Sequence, residues 1–238
     1  MKRQITLWLA ALLLPLLAQA QSWDEAQYRQ IEQSIRKPVF AGREYRITDF
    51  GASVRATAAR NQKAINRAIA TCSRQGGGRV VVPRGEWLTG AIRLQSRVNL
   101  VVEEGATLKL AFDPALYPLV KTSWEGLECW NYSPCIYAYQ ATDVGLTGRG
   151  TVDGNGSRDT WWPMCGAAKY GFVAGQTKEA QSLGARAQLL KMAEDGVPAD
   201  ERRFGMGRGL RPQLVNFNAC DGILVEGLTL ANSPFWVI

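Results

Sequence analysis

Acid–base chemistry in this sequence would have to rest on carboxylates, because it contains no histidine. That removes histidine metal sites and both the Ser-His-Asp and Cys-His nucleophile arrangements. The two acids that invite attention, Asp153 and Asp221, each precede a glycine. Asp-Gly is a turn signal, so both are read as turn residues rather than as catalysts. Five cysteines, Cys72, Cys129, Cys135, Cys165 and Cys220, form no zinc-like spacing. Their odd number leaves at least one thiol unpaired. Cys129 and Cys135 are close enough in sequence to pair, and buried free thiols are the equal alternative. Four tryptophans, Trp124, Trp130, Trp161 and Trp162, are candidates for ligand contacts through their aromatic faces; packing in a core or loop is the competing and preferred reading.

The formal net charge of the 238 residues is +7. Residues Met1 to Ala20 read as a secretory signal peptide: Lys2 and Arg3 are basic, Leu7 to Leu17 are apolar, and Ala18-Gln19-Ala20 fits cleavage after Ala20. The apolar run is too short to span a bilayer. Losing Lys2 and Arg3 takes the formal charge from +7 to +5. A basic chain suits nucleic acid, anionic surfaces or acidic polysaccharide, and without a Lys/Arg run the charge alone favours none of them.

The elements that must position these residues begin with a helix over 22–37, with Asp24 and Glu25 in its first turn, Arg36 and Lys37 in its last, and Tyr28, Ile31 and Ile35 on a packing face. A strand over 45–52 runs into a glycine turn. A second helix spans 58–74, with Ala64, Ile65, Ala68, Ile69 and Cys72 on one face and Gly76-Gly77-Gly78 at its end. Short strands follow at 79–82, 87–94 and 98–102. Three units share an apolar strand, a glycine, then Thr before Leu or Val: 98–108, 144–154 and 223–232. Such repetition with few hairpin turns points to a stacked β-solenoid rather than a sandwich or barrel. A last strand is read at Leu214, Val215 and Phe217, with Asp221-Gly222 and Asn232-Ser233-Pro234 as turns. Two stretches break the period: an aromatic loop over 112–133, and an insertion over 155–208 with a helix near 180–193. The domains are therefore 1–20 signal peptide, 21–44 helical segment and 45–238 β-helix.

In order along the chain stand ITDFGA (47–52), AINRAI (64–69), GGGRVVVPRGEWLTG (76–90), VNLVVEEGATL (98–108), WEGLECWNYSPCIYA (124–138), LTGRGTVDG (146–154), WW (161–162), RP (211–212) and NSPFW (232–236). This ordered set resembles the N-terminal half of glycoside hydrolase family 28, the polygalacturonases. A local departure is Val54-Arg55-Ala56, where the family often has Asp-Gly. The resemblance implies an all-β, right-handed parallel β-helix capped by the 58–74 helix. It further implies inverting hydrolysis of galacturonosyl linkages in pectin, with no metal or cofactor, by carboxylates placed across the bond. The family's Asn-Thr-Asp, Asp-Asp, Gly-His-Gly and Arg-Ile-Lys motifs are absent from these residues. No catalytic residue, metal ligand or substrate-binding residue is therefore assigned.

The resulting expectation is a secreted or periplasmic, polygalacturonase-like chain with pectic polysaccharide as partner, and neither nucleic acid nor membrane after cleavage. It is a monomer if full length. As given it is cut short at its C-terminus, inactive alone and prone to aggregate through an uncapped end. The competing reading is a non-catalytic β-helix that binds carbohydrate or serves structurally. A calcium-dependent lyase is a weaker third, since no acid cluster suits the ion.

Overall fold

The computed structural model describes residues 24–175, 184–205 and 207–238. The expected signal peptide lies outside these residues, as do the first residues of the 180–193 helix. Two units are distinguished, 1–37 and 38–238.

In the first unit, helix α1 spans Glu25–Ser34. Asp24 caps it, its carboxylate accepting from the amides of Ala26 at 3.0 Å and Gln27 at 3.2 Å. It ends earlier than expected. The Ser34 hydroxyl donates to the Ile31 carbonyl, a local bond that competes with the helical ladder, and Ile35 is already extended. Arg36 and Lys37 thus fall beyond the helix, and Tyr28, Ile31 and Ile35 are exposed.

The second unit is built from short parallel strands: β1 (Glu44–Arg46), β2 (Gly78–Val82), β3 (Gly85–Thr89), β4 (Ile92–Arg93), β5 (Val98–Val102), β6 (Ala106–Leu110), β9 (Ile136–Tyr139), β10 (Thr142–Gly148), β11 (Thr151–Asp153), β12 (Val215–Asn218), β13 (Asp221–Glu226) and β14 (Thr229–Ala231). They form three sheets, ordered β1-β2-β5-β10-β13, β14-β11-β6-β3 and β12-β9-β4. Successive strands pass from sheet to sheet, and each pairs in parallel with its equivalent one coil away. This is the right-handed parallel β-helix that the repeats and the resemblance implied.

Register explains why the repeats look alike. Val80, Leu100, Leu146 and Val225 stand above one another on the first sheet. Trp87, Leu108, Val152 and Leu230 do so on the second, and Ile92, Ile136 and Val215 on the third. These stacks make a continuous core. The residues just before Gly78, Val98, Val144 and Ile223 are Gly77, Arg97, Asp143 and Gly222, and all four have positive φ, between 53° and 95°. The same left-handed backbone position therefore recurs in four successive coils. At Gly77 the side chain is excluded outright, because a Cβ there would lie 2.4 Å from the Arg97 carbonyl oxygen.

Helix α2 spans Ala58–Arg74, as expected, and lies against the β1–β5 end of the stack. Thr57 caps it, its hydroxyl accepting from the Arg60 amide at 3.4 Å. Ala64, Ile65, Ala68, Ile69 and Cys72 are buried on the face toward the strands.

Four expectations are corrected. The 45–52 strand is only three residues long before a 3₁₀ turn at Ile47–Phe50, closed by Gly51 at φ 91°. The 87–94 strand is two, β3 and β4, on different sheets, because the chain bends at Gly90-Ala91; a Cβ on Gly90 would meet Leu116 at 2.6 Å. Asp221-Gly222 opens β13 and is no loop; the preceding corner is taken by Ala219 at φ 52°. The aromatic 112–133 stretch contains an antiparallel hairpin, β7 (Leu119–Trp124) and β8 (Leu127–Tyr132), turned by Glu125 and Gly126, both at positive φ.

Candidate functional site

The outward face of the β4-β9-β12 sheet carries a groove lined by aromatic and basic side chains. Alternation along these strands puts Ile92, Ile136, Ala138 and Val215 inside. Arg93, Tyr137 and Tyr139 then point outward, with Arg93 beside Tyr137 in register. The β7–β8 hairpin is tied to the same face. The Tyr137 hydroxyl donates to the Lys121 carbonyl, and the Thr122 hydroxyl donates to the Asn216 side-chain oxygen at 3.5 Å. The Gln213 amide donates to the Ser123 carbonyl at 2.7 Å, and the Trp124 indole N–H to the Arg211 carbonyl at 3.1 Å.

Between sheet and hairpin lies an open groove of about 260 Å³ lined by Arg93, Val120, Lys121, Trp130, Tyr137 and Tyr139, with Leu119 at its edge. Ligand pockets usually run from about 300 Å³ upward, so this groove suits one ring of a larger ligand. The insertion supplies its rim. Residues 202–204 run alongside β8: the Trp130 amide donates to the Arg202 carbonyl at 2.8 Å, and the Phe204 amide to the Trp130 carbonyl at 2.7 Å. Arg203 then stands 4.7 Å from the centre of the Trp130 ring.

Charge in the groove is mainly positive. Lys121 is paired with Asp200 at 3.2 Å, and the Trp130 indole N–H also reaches Asp200 at 3.4 Å. The hydrogen bond from Lys121, then that from Trp130, holds the Asp200 carboxyl below its ordinary value; the same hydrogen bond from Lys121 to Asp200 pushes the lysine up. Burial raises the Tyr137 hydroxyl, which therefore remains a donor. Arg93, Arg203 over Trp130, a lysine already holding one carboxylate, and the half-buried rings of Trp130 and Tyr139 form a surface suited to an anionic ligand with an apolar face.

A second cluster of Trp124, Cys129, Ala185, Leu189, Phe204 and Leu210 holds hairpin and insertion together. Its helix, α3, spans Ala185–Glu194. Asn131 on β8 is wholly buried there; its amide donates to the Leu210 carbonyl at 2.9 Å and its oxygen accepts from the Leu210 amide at 3.1 Å.

Of the four tryptophans, only Trp130 lines this groove. Trp124 is buried and stacked on Phe235 with centroids 4.6 Å apart. Trp161 is buried edge-on to Phe112 and Tyr117. Trp162 is half-buried and donates to the Ser233 carbonyl at 2.9 Å. Packing is the right reading for these three. Asp153 accepts from the Asn155 amide at 2.8 Å and from the Asn232 side chain at 3.0 Å, a turn role as read. Asp221 is at the exposed start of β13. All five thiols are free, so Cys129 and Cys135 are not paired. Cys129 lies in the second cluster and Cys135 in the main core. The groove residues Arg93, Lys121, Tyr137 and Tyr139 were not singled out from sequence. The available signal was the alternation of IYAY, which puts Tyr137 and Tyr139 on one face of the sheet, Tyr137 buried beneath the hairpin and Tyr139 half-buried.

No protein-family model matches the chain. It is 27% identical over 185 residues to a probable polygalacturonase of Vitis vinifera, covering 74% of this chain and 30% of that protein. It superposes on a hyperthermoactive exopolygalacturonase of Thermotoga maritima with a TM-score of 0.82 and 40% identity, over 88% of this chain and 46% of the other. A family 28 exopolygalacturonase of Yersinia enterocolitica matches with a TM-score of 0.54 at 23% identity, which speaks to fold alone. The chain spans less than half the length of each of these proteins. In sequence and in fold alike, it resembles the polygalacturonases of glycoside hydrolase family 28.

Proposed function

We propose that this chain is the polysaccharide-holding part of a secreted or periplasmic pectin hydrolase, and that its groove takes a galacturonate unit of polygalacturonate. The observation that carries the reading is the Arg93–Lys121–Trp130–Tyr137 groove, on a scaffold 40% identical to an exopolygalacturonase. A uronate ring offers one carboxylate for Arg93 or Lys121 and an apolar face for an aromatic side chain. Asp200, already held by Lys121, occupies the position that a substrate carboxylate would compete for.

The hydrolysis itself, with inversion, needs an acid at the leaving oxygen and carboxylates that activate water. No such set is assigned among these 238 residues: there is no histidine, and Asp153 is committed to its turn. The chain alone is therefore a binding body without turnover. The alternative, a non-catalytic β-helix that binds carbohydrate or serves structurally, is weighed by the same test. The test is equilibrium binding of polygalacturonate, with reducing ends assayed in the same samples. Binding without release of reducing sugar is expected. Absence of binding refutes the substrate class; release by pure protein refutes the lack of turnover.

A further inference from the structure

A larger groove, of about 720 Å³, lies along helix α2 and shares no residue with the one on the β4-β9-β12 sheet. Its wall is one stripe of the helix, Arg60, Lys63 and Arg67, spaced so that all three project to the same side. Its other side is Phe50, Gly51 and Thr57. No acid lines it. Arg67 is fixed in place: its guanidinium donates to the Phe50 carbonyl and stands 5.8 Å from the centre of the Phe50 ring. Arg60 and Lys63 are exposed and have no ion-pair partner among the described residues, whereas Arg29, Arg46, Arg79, Lys121, Arg186 and Lys191 all do.

A solvated face of a capping helix would serve with mixed charges. Three cations in one concave stripe, uncompensated and beside a half-buried aromatic ring, make a surface that attracts a repeated anion. We propose that this groove is a second, non-catalytic binding site for the same acidic polysaccharide, engaging successive uronate carboxylates through Arg60, Lys63 and Arg67 and a sugar face through Phe50. The inference rests on the polygalacturonate reading above for its ligand class. Two separated sites on one body would let a single long polymer be held at both, which raises avidity beyond either alone.

The test measures binding of long polygalacturonate to the whole chain, to Arg60→Gln/Lys63→Gln and to Trp130→Ala, at low and high salt. It also follows acetylation of Lys63 with and without polymer. Both helix positions are exposed, so the double variant should keep the native thermal midpoint. The expected result is about a tenfold loss of affinity at low salt, shrinking as salt rises, with Lys63 protected by polymer. Undiminished affinity in the double variant, or an unprotected Lys63, overturns this site while leaving the sheet groove standing if Trp130→Ala still weakens binding. Protection of Lys63 together with an inert Trp130→Ala keeps this site and removes the other. Equal binding of single-stranded DNA means an unselective polyanion surface and overturns the proposal.

Discussion

Replacing Asn131 by alanine tests how the groove is held together. Asn131 and Leu210 are both fully buried, and their two mutual hydrogen bonds join the hairpin to the returning end of the insertion. Alanine removes both partners at once and leaves the Leu210 amide and carbonyl buried without them. Each orphaned buried group costs about 1–3 kcal/mol, and because both belong to one residue the costs do not simply add, so the variant should lose about 2–4 kcal/mol. At about 1.4 kcal/mol per tenfold, local opening should become some 30- to 1000-fold more frequent. The loss belongs to the second cluster and not to the coils, whose stacks do not include Asn131. Hydrogen exchange is the assay: the amides of Trp130, Phe204 and Leu210 should lose protection, while those of Val144 and Leu146 should not. Glu128→Ala, an exposed change on the same strand, should move stability by about 0.5 kcal/mol or less. If Asn131→Ala leaves the Leu210 amide as protected as before, the side chain does not bridge hairpin and insertion, and the reasoning fails.

Three further outcomes follow from the geometry. Leu146→Ala, inside the stack between Leu100 and Val225, should cost about 2–5 kcal/mol by urea unfolding, and a cost under about 1 kcal/mol would mean the side chain is not interior. Native protein should expose at most the half-buried Cys165 and Cys220 to a thiol reagent at pH 8. Burial raises Cys72 to about 11 and Cys129 and Cys135 each to about 12, and all five should react after denaturation. The Asp200 carboxyl is lowered in the folded state, so its pair with Lys121 contributes fully at and above neutral pH and is lost only as pH falls through that lowered value. Asp200→Asn should therefore strengthen polygalacturonate binding at pH 7 by freeing Lys121, and unchanged or weaker binding would show that the aspartate does not compete with substrate.

What could be read from sequence was whatever a coil repeats. The stacked interior residues recur at equivalent places, so Val98, Leu100, Val144, Leu146 and Ile223 disclosed the solenoid before any strand was placed. The capping helix was legible because a long amphipathic face is a strong signal, and its expected bounds, 58–74, match the structure. Corners were poorly legible. A β-helix turns without hairpin chemistry, and here it does so through Arg97, Gln140 and Ala219 in left-handed conformations that their residue types do not advertise. For the same reason the 87–94 strand was not divided at Gly90-Ala91. The hairpin was hidden because its turn is Glu125-Gly126, and glutamate is a weak signal for a position of positive φ. The groove was partly hidden because its walls come from three places distant in sequence, near residues 93, 119–139 and 200–203. Trp130 was visible as an aromatic; that it, and not Trp124, Trp161 or Trp162, lines the groove depends on tertiary packing.

The most direct measurement of the central claim is a calorimetric titration of the chain, its Trp130→Ala variant and its Lys121→Met variant with a galacturonate trisaccharide and with the neutral galactose trisaccharide of the same linkage. The acidic sugar should bind and the neutral one should bind far more weakly, with each variant losing about tenfold in affinity for the acidic sugar. Equal affinity for both sugars, or wild-type affinity in both variants, would contradict the assignment of this groove to a uronate ring.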